Sequence, residues 1–242
     1  MVSNRQWVLG ILGIERQQIS HTERLISALG AFVGILVVWL TSALFLAGGE
    51  LILVVASMGA SAVLLFAVPH GTLSQPWPLI GGHVISALIG VSCAQLVSNP
   101  YIAAPLAVGL AVGTMHYLRC IHPPGGATAL AAVVGGSEIV TLGYGFVIAP
   151  VLINVTAILG AAVMFNFLFP WRRYPSYLCR HKERKTHSEK PMVYAPITHE
   201  DFVYALSEID SFIDVTEDDL IKIYELATGR GAEKRNEAQR SD

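Results

Sequence analysis

From Leu51 to Trp171 the chain holds one Lys or Arg, Arg119, and one Asp or Glu, Glu138. A water-facing surface cannot be built from such a stretch, because a soluble fold must cover its apolar core with charged and polar side chains. Over all 242 residues the charged fraction is 14% and the hydrophobic fraction 53%, whereas a soluble domain carries roughly 25% charged residues. This excludes a cytosolic enzyme, a nucleic-acid binder and a secreted disulfide scaffold, and leaves a polytopic membrane protein. The net charge of −2 carries no information, since the charges gather at the ends: of 16 Lys and Arg, 12 follow Pro170. Cys93, Cys120 and Cys179 are too few and too scattered for a disulfide framework. The N-terminal region reads as no secretory signal, and the run around Trp7, flanked by Arg5 and Arg16, suits a short helix along the membrane surface.

The apolar runs predict an all-α polytopic bundle of about six segments: 24–46, 51–68, 79–97, 102–118, a short 125–134 and 145–169. Turn residues separate them, among them Gly48-Gly49, Pro69 to Pro78, Asn99-Pro100, Pro123-Pro124 and Gly135-Gly136. A run of 23 residues extends about 34 Å as a helix, enough for a hydrocarbon core of ~30 Å. Arg5, Arg16 and Arg24 precede the first run, and Arg172, Arg173, Arg180 and Lys182 follow the last. The positive-inside tendency then places both termini in the cytoplasm, in the cell (inner) membrane if the source is bacterial, and requires an even number of crossings. Six is preferred; four, with two segments dipping in and out, satisfies the same parity.

Gly59-Ala60-Ser61-Ala62-Val63 reads like Gly126-Ala127-Thr128-Ala129-Leu130, an offset of 67. With three helices per half this would be a 3+3 inverted repeat, an arrangement common among secondary transporters. The alternative is that small-residue runs recur wherever membrane helices pack closely. The expected organisation is a cytoplasmic segment 1–23, a membrane domain 24–170, a basic linker 171–197, a cytoplasmic helical module 198–229 and a disordered tail 230–242. In the module, Thr198 and Thr216 suit helix starts, and Asp210 and Asp214 lack the glycine and glutamate of a calcium loop.

The segment His122-Pro123-Pro124-Gly125-Gly126-Ala127-Thr128-Ala129-Leu130, with the Gly59 block and Gly81-Gly82-His83, resembles the signature of the HPP family of integral membrane proteins. The likeness runs over roughly residues 25–170. The resemblance implies a membrane domain usually described as four-spanning, and, through plastid members, nitrite transport. Some members continue into paired CBS domains, which this sequence is not expected to carry.

Two constellations point to chemistry. Pro123-Pro124 forbids continuation of the preceding helix, so the helix after Gly125-Gly126 should begin inside the protein. Its first N–H groups are then a ready anion site, with a matching one expected at a break near Gly59-Ala60, and with Ser61 and Thr128 adding hydroxyls. Of the eight histidines, His70, His83, His116 and His122 lie in the charge-poor stretch, where an ionisable group is a functional candidate. His83 and His122 are the candidates; His70 and His116 suit the interface. Asn154 adds a neutral polar group in the last segment. No Asp or Glu lies between Leu51 and Ser137, which disfavours cation carriers and favours a small anion. The substrate-binding set is therefore Gly59, Ala60, Ser61, His83, His122, Pro123, Pro124, Gly125, Gly126, Thr128 and Asn154.

Cys120 and His122, with His116 a turn away, make a weak metal reading, so no metal, cofactor or catalytic residue is expected and the protein is read as not an enzyme. The expected partners are the lipid bilayer and a small inorganic anion, with no nucleic acid and with homo-oligomerisation left open. Two functions follow: a transporter or channel for a small monovalent anion, nitrite by resemblance and coupled to a proton, or a non-transporting scaffold or sensor acting through its cytoplasmic tail.

Overall fold

The computed structural model describes residues 19–44 and 48–178, with the side chains of 48–53 left aside. The described residues from 24 onward belong to one compact unit. Of the expected N-terminal segment only 19–23 is described, and of the expected linker only 171–178. The 198–229 module and the 230–242 tail lie outside the described residues.

Among the described residues every regular element is helical. The helices are α1 (His21–Ser42), α2 (Gly48–Ala67), α3 (Pro76–Leu96), α4 (Pro100–Tyr117), α5 (Pro123–Val134), the short α6 (Ser137–Leu142) and α7 (Ile153–Phe167). Three stretches are long and apolar enough to cross a membrane: His21–Ser42, Pro76–Leu96 and Val147–Phe167. Helix starts follow local chemistry. Ser20 Oγ accepts from Glu23 N at the head of α1 (3.1 Å), and Asn99 Oδ1 accepts from Tyr101 N before α4 (3.0 Å). Pro76, Pro100 and Pro123 each occupy a first-turn position, where a missing N–H costs nothing.

Side-chain bonds between distant segments fix the directions of the helices. At one end Arg172 Nη1 donates to Ser27 Oγ near the start of α1 (3.1 Å). There too Tyr174 Oη donates to Ser74 O (2.7 Å) and Trp77 Nε1 to Leu118 O (3.1 Å). At the other end Asn154 Nδ2 donates to Ser42 Oγ (2.6 Å), and Ser92 Oγ and Tyr144 Oη meet at 3.0 Å. The six apolar segments, α1 to α5 and the last one ending in α7, therefore alternate in direction. The start of α1 and the residues after α7 share the end marked by Arg172, in agreement with an even number of passes.

Three expectations are corrected. The last segment is not one straight helix. Pro150 has no N–H and drives the residue before it out of helical geometry, and Ala149 stands at φ −126°, ψ 117° between Val147 and α7. The anticipated break at Gly59 does not occur, since α2 runs unbroken from Gly48 to Ala67. The two Gly-Ala-Ser/Thr blocks thus differ in structure, one in mid-helix and the other in the first turn of α5, and the inverted repeat gains no support from them. Finally, Arg172 is not a surface cation: it is 1% exposed.

Arg172 completes a three-part cap on α2. The last carbonyls of a helix have no intrahelical partner and carry partial negative charge. Ser74 Oγ donates to Leu64 O (2.9 Å), Asn166 Nδ2 to Leu65 O (3.2 Å) and Arg172 Nη2 to Phe66 O. Arg172 Nε also donates to Asn166 Oδ1 (3.1 Å).

The core has two parts. Phe66, Met58, Leu65, Leu79 and Ile158 pack between α2, α3 and α7. Ala103, Ala107, Ala111, Met115 and Ala129 make a small-residue seam of α4 against α5 and α3. The α3–α5 packing is the most extensive of all, and glycine permits it. A Cβ at Gly125 would sit 2.6 Å from Gly82 O, and one at Gly90 2.6 Å from Ala129 O. α1 is held in the same manner: Gly30 and Gly34 face the Phe66 ring, which meets Phe165 edge-on at 5.7 Å.

Candidate functional site

α5 has 12 residues, about 18 Å of helix against a hydrocarbon core of ~30 Å. It begins below the end of the bundle, because His122, its N-cap residue, reaches Ser61 six residues before the end of α2. α2, α3 and the head of α5 therefore meet within the protein and bring four of the expected residues together. Ser61, His83 and His122 are fully buried, and Thr128 is 2% exposed.

The contacts form a single chain. His122 Nδ1 lies 2.8 Å from Leu73 O, His122 Nε2 lies 2.9 Å from Ser61 Oγ, and His83 Nε2 lies 2.8 Å from the same oxygen. His83 Nδ1 lies 2.7 Å from Thr128 Oγ1. The two imidazoles stand edge to face with centroids 5.0 Å apart. A carbonyl only accepts, so His122 Nδ1 carries hydrogen. Neutral His122 then accepts at Nε2, and the Ser61 hydroxyl donates to it. Ser61 Oγ accepts from His83 Nε2–H, and His83 Nδ1 accepts from the Thr128 hydroxyl. One anchor thus orders four side chains, and both neutral rings are satisfied. Ser61 Oγ is also 3.4 Å from Ser57 O, a weaker alternative acceptor. Ser61 and Thr128, the two hydroxyls paired by the 67-residue offset, take opposite nitrogens of one ring.

The other expected residues fall elsewhere. Gly125 and Pro124 are buried, with Gly125 against Gly82. Pro123 is exposed, and Gly126 is half-buried near Val108. The anticipated cradle of N–H groups at the head of α5 does not form there: the two prolines supply none, and Gly125 N–H turns back onto His122 O (2.8 Å). Gly59 is half-buried beside open space and Ala60 is exposed, so the pair does not join the cluster. Asn154 is fully buried at the other end of the bundle, bonded to Ser42, with Oδ1 unpartnered. His116 is exposed, and His70 Nε2 lies 3.2 Å from Arg173 O. Among the described residues no three His, Cys, Asp or Glu side chains converge. Sequence reasoning missed Leu73, whose carbonyl sets the order of the whole chain; a backbone acceptor leaves no trace in residue type.

Comparison with known proteins agrees with this architecture. The model for the HPP transmembrane region matches residues 16–175. Two transmembrane proteins of Dictyostelium discoideum are each 37% identical to the chain. One aligns over 155 residues, 62% of this chain and 50% of that protein. The other aligns over 153 residues, 62% of this chain and 53% of that protein. The chain thus spans about half the length of the curated relatives it matches. No solved structure matches it. The family match covers the histidine cluster and all six alternating segments, and on that ground the chain belongs to the HPP family of transmembrane proteins.

Proposed function

We propose that this chain carries a small monovalent anion across the membrane together with a proton, with nitrite the first substrate to test. The observation that carries the reading is the buried pair His83 and His122 joined through Ser61 Oγ at 2.8 and 2.9 Å. Histidine changes charge near neutral pH, and a membrane interior holds an ionisable side chain only at a cost that function must justify. α3, α4 and α5 contain no Asp, Glu, Lys or Arg, so a proton on this pair meets no fixed counter-ion there. A mobile anion is the natural partner for that charge. The resemblance to plastid nitrite transporters points to the same class of substrate. Both termini are taken as cytoplasmic, in the cell membrane, from the basic flanks of the membrane domain.

The test is nitrite uptake into liposomes holding the pure protein, with protein-free liposomes subtracting nitrous acid that crosses lipid unaided. Uptake is expected to rise as pH falls below about 7.5, as protons become available to the pair. His83→Gln and His122→Gln are expected to flatten that rise while inserting normally. Unchanged flux in both variants removes the histidines from the mechanism. No protein-dependent flux of nitrite, nitrate, chloride or formate replaces the reading with a scaffold acting through the C-terminal segment.

A further inference from the structure

The chain of contacts has two unlike ends. At one end the Leu73 carbonyl accepts a hydrogen bond and has no proton to pass on. At the other the Thr128 hydroxyl both donates and accepts. We propose that Thr128, His83, Ser61 and His122, closed off by the Leu73 carbonyl, form a store for one proton that opens only at Thr128, and that loading it turns the Thr128 hydroxyl toward a small anion. This rests on the transport reading and specifies its coupling.

The loading step balances as follows. One proton enters at the Thr128 end and comes to rest on His83 Nδ1. His83 releases its Nε2 proton to Ser61 Oγ, and the hydroxyl proton of Ser61 passes to His122 Nε2. One proton has entered and one positive charge has appeared, on His122; only O–H and N–H bonds have changed. His83 is neutral again with its hydrogen on the opposite nitrogen. It now donates to Thr128 Oγ1 rather than accepting from it, so the Thr128 hydroxyl hydrogen has lost its acceptor. An anion beside the first turn of α5 supplies a new one and balances the imidazolium charge across the His83 ring. Unloading runs the same sequence backwards.

The geometry limits the store to one proton. The ring centroids are 5.0 Å apart in a dry setting, where two like charges repel strongly. Among the described residues the acids besides Glu50 are Glu23, buried in the first turn of α1, and Glu138, exposed on α6. α2 carries only Glu50, near its far end, and α3, α4 and α5 carry no acid. Of the remaining titratable groups, Cys120 packs against Gly81 in the connection before α5. Tyr174 bonds Ser74 O, His70 bonds Arg173 O, and His116 is exposed on α4. Arg172, which caps the end of α2 from the residues after α7, is turned to Phe66 O. The expected consequence is one proton per monovalent anion and no net charge moved.

Two measurements on the full-length protein test this. In nanodiscs with 15N-labelled histidine, His83 at high pH is expected as the Nε2–H tautomer and His122 as the Nδ1–H tautomer. On acidification the two signals are expected to change together, with the charge on His122 and hydrogen moving to His83 Nδ1. Identical tautomers at high pH, or independent titration of the two rings, overturns the store whether or not transport occurs. In proteoliposomes, nitrite uptake is expected to be insensitive to an imposed membrane potential and matched one-to-one by proton uptake. Thr128→Val is expected to lower it by about tenfold or more, the loss of one charge-assisted hydrogen bond, and Thr128→Ser to restore it. Potential-driven nitrite flux without protons overturns the store and leaves transport standing. Absence of flux with the expected tautomer pair overturns the transport reading alone.

Discussion

At the scale of single residues, the histidine pair and Arg172 show how differently a membrane interior treats polar groups. Each of the four imidazole nitrogens meets a partner in one hydrogen-bond chain. Arg172 cannot be neutral, so it is placed on the negative end of α2 and given Asn166 Oδ1 and Ser27 Oγ as well. Arg172→Leu removes the guanidinium and strands Phe66 O and Asn166 Oδ1. Each buried acceptor left unmet costs about 1–3 kcal/mol, so thermal unfolding in detergent is expected to drop by several degrees or more. Arg172→Lys is expected to recover little, because an ammonium cannot reproduce the planar fork. Tyr174 serves the same end of the bundle. Burial pushes its phenol above the ordinary value, so it stays a donor to Ser74 O across the pH range in which the protein is handled. Tyr174→Phe is expected to cost about 1 kcal/mol, a loss that stays constant with pH.

At the scale of elements, the informative comparison is between Gly59, which opens one of the two small-residue blocks, and Gly125, which directly precedes the other. Gly125 and Gly59 both precede a small-residue run ending in a hydroxyl, yet only one is enclosed. Gly125→Ala puts a Cβ 2.6 Å from Gly82 O and forces α5 away from α3, an overpacking cost of about 1–3 kcal/mol. It also draws His122 and Thr128 off the α2–α3 face, so loss of the paired histidine tautomers should accompany the loss of stability. Gly59→Ala meets nothing within 4 Å, and alanine is the better helix former by about 1 kcal/mol. That variant is expected to match or exceed the native protein in thermal unfolding. If both variants behaved alike, the close α3–α5 approach would not be what seats the cluster.

At the scale of the molecule, the six alternating segments bring the start of α1 and the residues after α7 to one end, through Arg172 and Ser27. In a background without the native cysteines, Ser137→Cys and Leu178→Cys lie at opposite ends, and both positions are exposed. A membrane-impermeant maleimide added to intact cells is expected to label Ser137→Cys alone. Labelling Leu178→Cys requires opening the cells. Equal labelling of both from one side would contradict the alternation.

Much of this was legible in the residues because hydropathy and helix punctuation act locally. A charge-poor stretch from Leu51 to Trp171 leaves lipid as its medium, and prolines at 76, 100 and 123 mark where helices begin. Ser61, His83, His122 and Thr128 stood out as polar groups in an apolar field. Their assembly into one ordered chain was decided by tertiary structure, because the order depends on Leu73 O, which has no side-chain signature, and on α5 starting beneath the end of the bundle. The same holds for Arg172. Charge placed it among the basic flanking residues, while the orphan carbonyls of α2 drew it inward. The Gly59 and Gly126 blocks look alike in sequence and differ in the fold, because a double proline precedes only the second. Local chemistry determines where helices start and what they are made of; which polar groups meet is settled by how closely the helices pack, and that is a property of the glycine faces of α3 and α5 together.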